Sequence, residues 1–449
     1  MPLSRTCVFL SGLAVAAGAH AAGNLDGDFA DNGRRIVFFD GGGNNMDDAL
    51  AMDVTSNGTV VLAGNERIDA THDCIAVVRL LPNGSPDTTF SGDGKFVQNA
   101  LCSSASLRVN AVKIDAAGRI VFAGAYTPDS NGQSQYIVGR IKADGSALDD
   151  GFGFGGITTP SLGGYTYAGA NAIALQADGK IVAAGYATVN FVGSLTAFAV
   201  TRQNADGTAD ASFNSSGYQI YSWGTSTSDP LNDVATAIAI QGDGKIVVAG
   251  TSQQTATGAD FGVVRLNVNG SFDTAFGGNG TGARLVDFGS GCKDDIVTSI
   301  AYRYSPFSPA GAGVVIAGTN CVAGNDWDYA VAVLDEDGAL DNDFNGTGRR
   351  TVGFDIGGLN RDVAKGVALE NISTVTLGPT HITLGGFALN TQTAGSGYDF
   401  ALTRLTFTGG VDTSFGTNGR ATYPINLGST NNDFANALVV RGRTAWIGG

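Results

Sequence analysis

The chain has 449 residues, 43% hydrophobic and 15% charged, with 67 Gly and 10 Pro, a composition that supplies a large core and favours many tight turns over long helices. Its formal net charge of −15 argues against nucleic acid or anionic lipid as a partner, because such a surface repels phosphate. No stretch reaches the roughly 18 apolar residues of a membrane span, so no bilayer anchor is expected.

In chain order, residues 1–22 read as a secretory signal. Arg5 provides a basic start, Cys7 to Ala17 is mostly apolar or small, and Ala19-His20-Ala21 offers small residues for cleavage. The expected mature protein is therefore residues 23–449, one domain, secreted to the periplasm or beyond. It keeps Cys74, Cys102, Cys292 and Cys321. Three pairings are open, and proximity in sequence favours Cys74–Cys102 and Cys292–Cys321. A zinc site is a poor alternative, since there is no CxxC pair.

The rest is repetitive. The element Asp-x-x-Phe-x-x-x-Gly recurs with its Phe at Phe29, Phe90, Phe152, Phe213, Phe276, Phe344 and Phe415, at steps of 61, 62, 61, 63, 68 and 71 residues. The two longest steps carry extra residues around Tyr302–Gly313 and Glu370–Thr380. A short β-branched run ending in Gly recurs as well, at Gly64, Gly124, Gly185, Gly250, Gly318, Gly386 and Gly449. Between these markers, residues 233–288 hold four β-rich runs, ATAIAI, KIVVAG, FGVVRL and ARLVDF, each bounded by turn residues. Such a unit buries too little alone, so copies must pack against one another.

The chain opens on the second half of a repeat and closes on the first. This offset predicts an all-β, seven-bladed β-propeller with four-stranded antiparallel blades, the last blade closed by both termini, with Arg34–Phe39 beside Phe434–Gly449. The last blade lacks a recognisable third strand, so either it is short or the chain continues past Gly449. An open β-solenoid is the runner-up, but its coils need only about 20–30 residues.

The pattern DGKIVVAG…DFGVVRLNxxGxxDxxFGxxG resembles the delta-60 repeat of secreted bacterial proteins, over nearly all of residues 24–449. The resemblance implies a propeller-like fold and no particular activity.

Residues present in every copy are read as scaffold: each Phe as a core plug, each Asp three residues before it as the partner of a third-strand arginine. Those arginines are Arg79, Arg140, Arg202, Arg265 and Arg404, and Val333 interrupts the series. A second acidic series opens the first strands, with Asp47, Asp233, Asp295, Asp362 and Asp433 present and Leu107 and Ala168 in the equivalent places. Third strands open on Asp260, Asp328 and Asp399. Strand starts one and three share a rim, so Asp233, Asp260, Asp295, Asp328, Asp362 and Asp399 are candidate ligands of a hard cation, Ca2+ above all. The competing reading is that each Asp caps its own turn.

Residues that occur once fall in loops of that same rim: His72, Tyr165, Tyr167, Trp223, Trp327 and Arg361. Aromatic and acidic loops suit a glycan or an extracellular protein ligand; packing of the long loops is the plainer reading. No G-x-S-x-G, HExxH or P-loop is present, and no catalytic residue is assigned. The expectation is a secreted binding module. The alternatives are an extracellular glycoside hydrolase or polysaccharide lyase using carboxylates at the channel mouth, and a calcium-stabilised structural protein of the envelope.

Overall fold

A computed structural model describes residues 13–16 and 23–449, apart from 38, 40–46, 70–71, 99–100, 103, 130–131, 166, 189–194, 225–231, 290–291, 304–311, 325, 357–360, 371–378, 391–396, 426–431 and 443. The extra residues expected in the two longest repeats lie largely outside the described residues.

The repeat folds as its alternation dictates. In residues 233–286 the strands Asp233–Ile240, Ile246–Gln254, Gly258–Leu266 and Ala283–Val286 form an antiparallel meander in sequence order. Residues 47–97, 105–158, 168–221, 295–352 and 362–423 form five more sheets of the same kind. We number the six blades 1 to 6 in chain order. First strands of successive blades pack on each other around the axis, and the apolar core is divided into clusters at the junctions between sheets.

The structure is thus a six-bladed propeller, and the expected seven blades are corrected to six. Counting turn motifs overestimated the blades, because among the described residues the last group assembles three strands and not four. Ala437–Arg441 and Thr444–Gly448 form a hairpin joined by Leu13–Ala16, in the order Leu13–Ala16, Thr444–Gly448, Ala437–Arg441. Among the described residues, Arg34–Phe39 supplies no fourth strand and shows isolated bridge contacts. The three-stranded sheet fills the gap between blades 6 and 1. Val37 and Phe39 pack with Trp446 there, Tyr423 Oη donates to Gly23 O (2.5 Å), and Asn436 Nδ2 donates to Ala49 O (2.9 Å). Leu13–Ala16 falls inside the segment read from sequence as a cleavable leader.

Two sequence signatures acquire a physical cause. Every first strand carries a β-bulge, between Ala235 and Ala237 in blade 4 and at the equivalent place in the other five. The bulge drives a first-strand carbonyl against the second strand, so a Cβ on Gly250 would lie 2.1 Å from Val234 O. Only glycine fits, which is why each second-strand run ends in Gly. The bulged side chain is then free to reach onward: Asn110 Nδ2 donates to Ala170 O, Asn171 Nδ2 to Ala235 O and Thr236 Oγ1 to Val297 O, each at 2.9 Å. These bonds tie neighbouring first strands around the channel.

The Asp-x-x-Phe element works at the opposite rim. Arg265 Nε donates to Asp273 Oδ2 (2.7 Å), its guanidinium lies 4.6 Å over the Phe276 ring, and Nη1 donates to Glu336 O of the next blade. The pairs Arg79–Asp87, Arg140–Asp149, Arg202–Asp210 and Arg404–Asp412 repeat this at 2.7–2.8 Å. Blade 5, where Val333 breaks the series, recovers the pair from another strand: Arg303 Nη2 lies 2.8 Å from Asp341 Oδ2. In blade 4 the turn is two residues longer than the repeat suggests, and Gly282, not Gly280, accepts from Arg265 N (2.8 Å).

Candidate metal centre

At the rim away from the Arg–Asp–Phe braces, three chain positions converge at each blade junction: the start of a third strand, the crossover that follows, and the start of the next first strand. The first-strand aspartates have a common role. Asp233 accepts from Trp223 N (3.0 Å), Asp295 from Phe288 N (2.8 Å), Asp362 from Phe354 N (2.6 Å) and Asp433 from Ile425 N (2.7 Å). Each therefore caps the crossover that delivers the chain to its own blade. The capped aromatic packs edge-on against the preceding third strand, as in Phe198–Trp223, Phe261–Phe288 and Tyr329–Phe354, all 5.1 Å between centroids.

Asp233 stops at this role. Ser222 Oγ (2.8 Å) and Ser252 Oγ (2.5 Å) also donate to it, and the facing third-strand position is Ala197. Asp399 accepts from Asn390 Nδ2 (2.9 Å).

The junction between blades 4 and 5 differs. Asp260 from the third strand, Asp287 from the crossover and Asp295 from the next first strand each place a carboxylate oxygen within 4.8 Å of the others. Asp260 is 3% exposed. Its Oδ2 accepts from Thr257 Oγ1 (2.7 Å), and its buried Oδ1 accepts nothing. Burial, followed by the charges of Asp287 and Asp295, pushes the Asp260 carboxyl up to about 6, and burial also raises Asp295. Three carboxylates with an unpaired buried oxygen form an all-oxygen donor set, the chemistry that Ca2+ prefers; its remaining ligands would be water or backbone carbonyls. Repulsion among like charges and desolvation both work against this arrangement in the free protein, and a divalent ion would relieve both.

Sequence reasoning named Asp260 and Asp295 but not Asp287. The one signal for it was local: the crossover reads Asp287-Phe288 here, against Ser222-Trp223 and Gly353-Phe354 at the neighbouring junctions.

The six single-copy residues are not gathered into one patch. His72 bridges blades 1 and 2, with Nδ1 2.6 Å from Asp69 Oδ2 and Nε2 3.1 Å from Asp129 Oδ2, and those hydrogen bonds raise its pKa. Tyr165 packs on the core between blades 2 and 3, whereas Tyr167 is 42% exposed. Trp223 is committed to packing on Phe198 and Tyr221 and covers Gly262. Trp327 and Arg361 do meet, as a parallel bridge between blades 5 and 6. The disulfides are Cys74–Cys102 and Cys292–Cys321. Among the described residues no helix is long and apolar enough to cross a membrane.

Four segments, residues 55–90, 118–152, 176–213 and 241–276, match the sequence profile of a beta-propeller domain of unknown function, DUF5122. No curated protein matches the chain. Among solved structures it is similar to a gluconolactonase from Xanthomonas campestris (12% identity, 84% of this chain and 96% of that one, TM-score 0.36). It is also similar to a glucose dehydrogenase (11% identity, 75% and 92%, TM-score 0.40). A third likeness is to the alpha-L-arabinofuranosidase of Fusarium graminearum (8% identity, 85% and 93%, TM-score 0.42). At TM-scores below 0.5 these likenesses assign this chain no activity.

Proposed function

We propose that the protein is a binding module that acts outside the cytoplasm after loss of residues 1–22. Its acidic rim uses Ca2+, or a similar hard cation, to organise a surface for a glycan or protein ligand. The observation that carries this reading is the convergence of Asp260, Asp287 and Asp295 around a buried, unpaired carboxylate oxygen. Two disulfides support an oxidising compartment. A cation held here would bridge blade 4 to blade 5 and leave outer coordination positions on the rim, where sugar hydroxyls or a ligand carboxylate could replace water. Screening the purified protein on a glycan array, with Ca2+ and then with EDTA, tests it. Cation-dependent retention of a glycan class is expected. Equal profiles in both conditions, together with no Ca2+ uptake by calorimetry, would overturn it.

A further inference from the structure

The next junction repeats the arrangement. Asp328 is the third residue of the third strand of blade 5 as Asp260 is of that of blade 4, and Asp362 opens the first strand of blade 6 as Asp295 opens that of blade 5. The crossover again supplies an acid, shifted by two residues: Asp287 precedes its capped Phe288, and Asp355 follows its capped Phe354. Glycine occupies the vacated place. A Cβ on Gly353 would lie 2.7 Å from Asp328 Oδ1 and 3.1 Å from Asp355 Oδ1, so both oxygens converge over this residue. Asp355 reaches its position with a φ of 52°, a conformation that non-glycine residues seldom adopt.

Independent of that clustering, two buried oxygens point to a ligand. Asp362 is 1% exposed, and while its Oδ2 accepts from Phe354 N, its Oδ1 has no hydrogen-bond partner. The Leu389 N–H also lies close enough to lower the Asp362 pKa, while its own hydrogen bond runs to Arg361 O (3.2 Å). Asp328 Oδ1 is likewise buried and unpartnered. The charged groups around Asp328 are Asp326, Asp355 and Asp362, with Arg420 as the facing cation. Arg420 stands beside the set, with Nε donating to Gly353 O (2.8 Å) and Nη1 to Asn418 O (3.3 Å), and its charge lowers the Asp328 pKa without an ion pair to any of the three carboxylates among the described residues.

We propose that Asp328, Asp355 and Asp362 form a second hard-cation site between blades 5 and 6, so that two divalent ions flank blade 5. This rests on the reading of the 4/5 junction as a cation site. Among the described residues only Asp260, Asp287 and Asp295 already lie within 4.8 Å of one another, so a bound ion has to draw Asp328, Asp355 and Asp362 together over Gly353.

The test is Ca2+ binding by isothermal titration calorimetry on the full chain. The expected result is two equivalents for wild type, one for Asp287→Asn, one for Asp355→Asn and none for the double variant. Asp355→Asn that still binds one equivalent is thereby shown to be folded. Gly353→Ala should weaken one equivalent by about tenfold or more and leave the other unchanged, as expected when a ligand's support is displaced. A single equivalent in wild type, unaffected by Asp355→Asn and lost in Asp287→Asn, overturns this proposal and leaves the 4/5 site standing. A single equivalent lost in Asp355→Asn alone overturns the 4/5 reading instead. Wild type that takes up no Ca2+ overturns both.

Discussion

The junction between blades 1 and 2 and that between blades 4 and 5 are built on one plan and closed by different chemistry. In both, a residue near the start of the third strand faces the second residue after the repeat glycine: Cys74 faces Glu66, and Asp260 faces Ser252. In both, the crossover sends a side chain back to that position. At the first junction the pair is Cys74 and Cys102, joined covalently, and the next first strand contributes buried Leu107. At the second the same three stations hold Asp260, Asp287 and Asp295. One junction is complete by itself; the other concentrates negative charge that no ion pair among the described residues neutralises. The 3/4 junction, with Ala197 opposite a fully hydrogen-bonded Asp233, shows that the scaffold needs one acid there and not three.

The largest effect should be one that the two junctions share. Phe90→Ala and Phe276→Ala remove fully buried plugs of the 1/2 and 4/5 cores, and each should cost about 3–5 kcal/mol in urea denaturation. Costs that differ by more than the whole of that range would show that the scaffold is not common to both. Next, Cys74→Ser with Cys102→Ser should lower stability by roughly 2–4 kcal/mol, by the same amount in Ca2+ and in EDTA. A deficit rescued by Ca2+ would break the contrast between covalent and ionic closure. At the 4/5 junction, Ca2+ at 100 times Kd should stabilise the protein by about 2.7 kcal/mol per occupied site. Asp287→Asn should remove one such increment from the calorimetric melting curve.

The smallest effect is in pH. Asp260 and Asp328 are raised to about 6 and Asp362 to about 7, in each case first by burial and then by neighbouring acids. A carboxyl raised in the folded state binds more protons there than in the unfolded chain, so stability falls as pH rises from about 4 to about 7. Without divalent ions the melting temperature should decline across that window; Ca2+ should flatten the decline, and Asp260→Asn should remove part of it. Asp87 at the 1/2 braces, depressed although its burial opposes this because Thr89 and Arg79 hold its charged form, contributes with the opposite sign and only at acid pH. A melting temperature independent of pH between 4 and 7 would contradict the carboxyl assignments.

Much of the fold could be read in the chain because a repeat reports itself. The meander, the Phe plugs and the Arg–Asp pairs follow from residue types at regular spacing, where each copy corroborates the next, and the two disulfides are the pairings that proximity in sequence favoured among three. Blade number did not follow, since a turn motif counts turns while a blade requires four paired strands. Arg303 was invisible for a related reason: it replaces a missing third-strand arginine from a different strand, and nothing in the repeat links those positions. At the rim, Asp260 and Asp295 were found by their periodicity. Asp287 and Asp355 escaped it, because they sit on opposite sides of their capped phenylalanines and so belong to no common register.

What the amino-acid sequence determined by itself is therefore local and periodic: where strands alternate, where only glycine can turn or admit a bulge, and which residues recur as plugs and caps. Tertiary structure alone decided how many sheets complete the ring, and which carboxylates from separate strands and crossovers come within reach of one ion. The reason is physical. Backbone turns and strand pleats depend on neighbours a few residues apart, whereas a donor set depends on distances between side chains that only the packing of one blade against the next brings close.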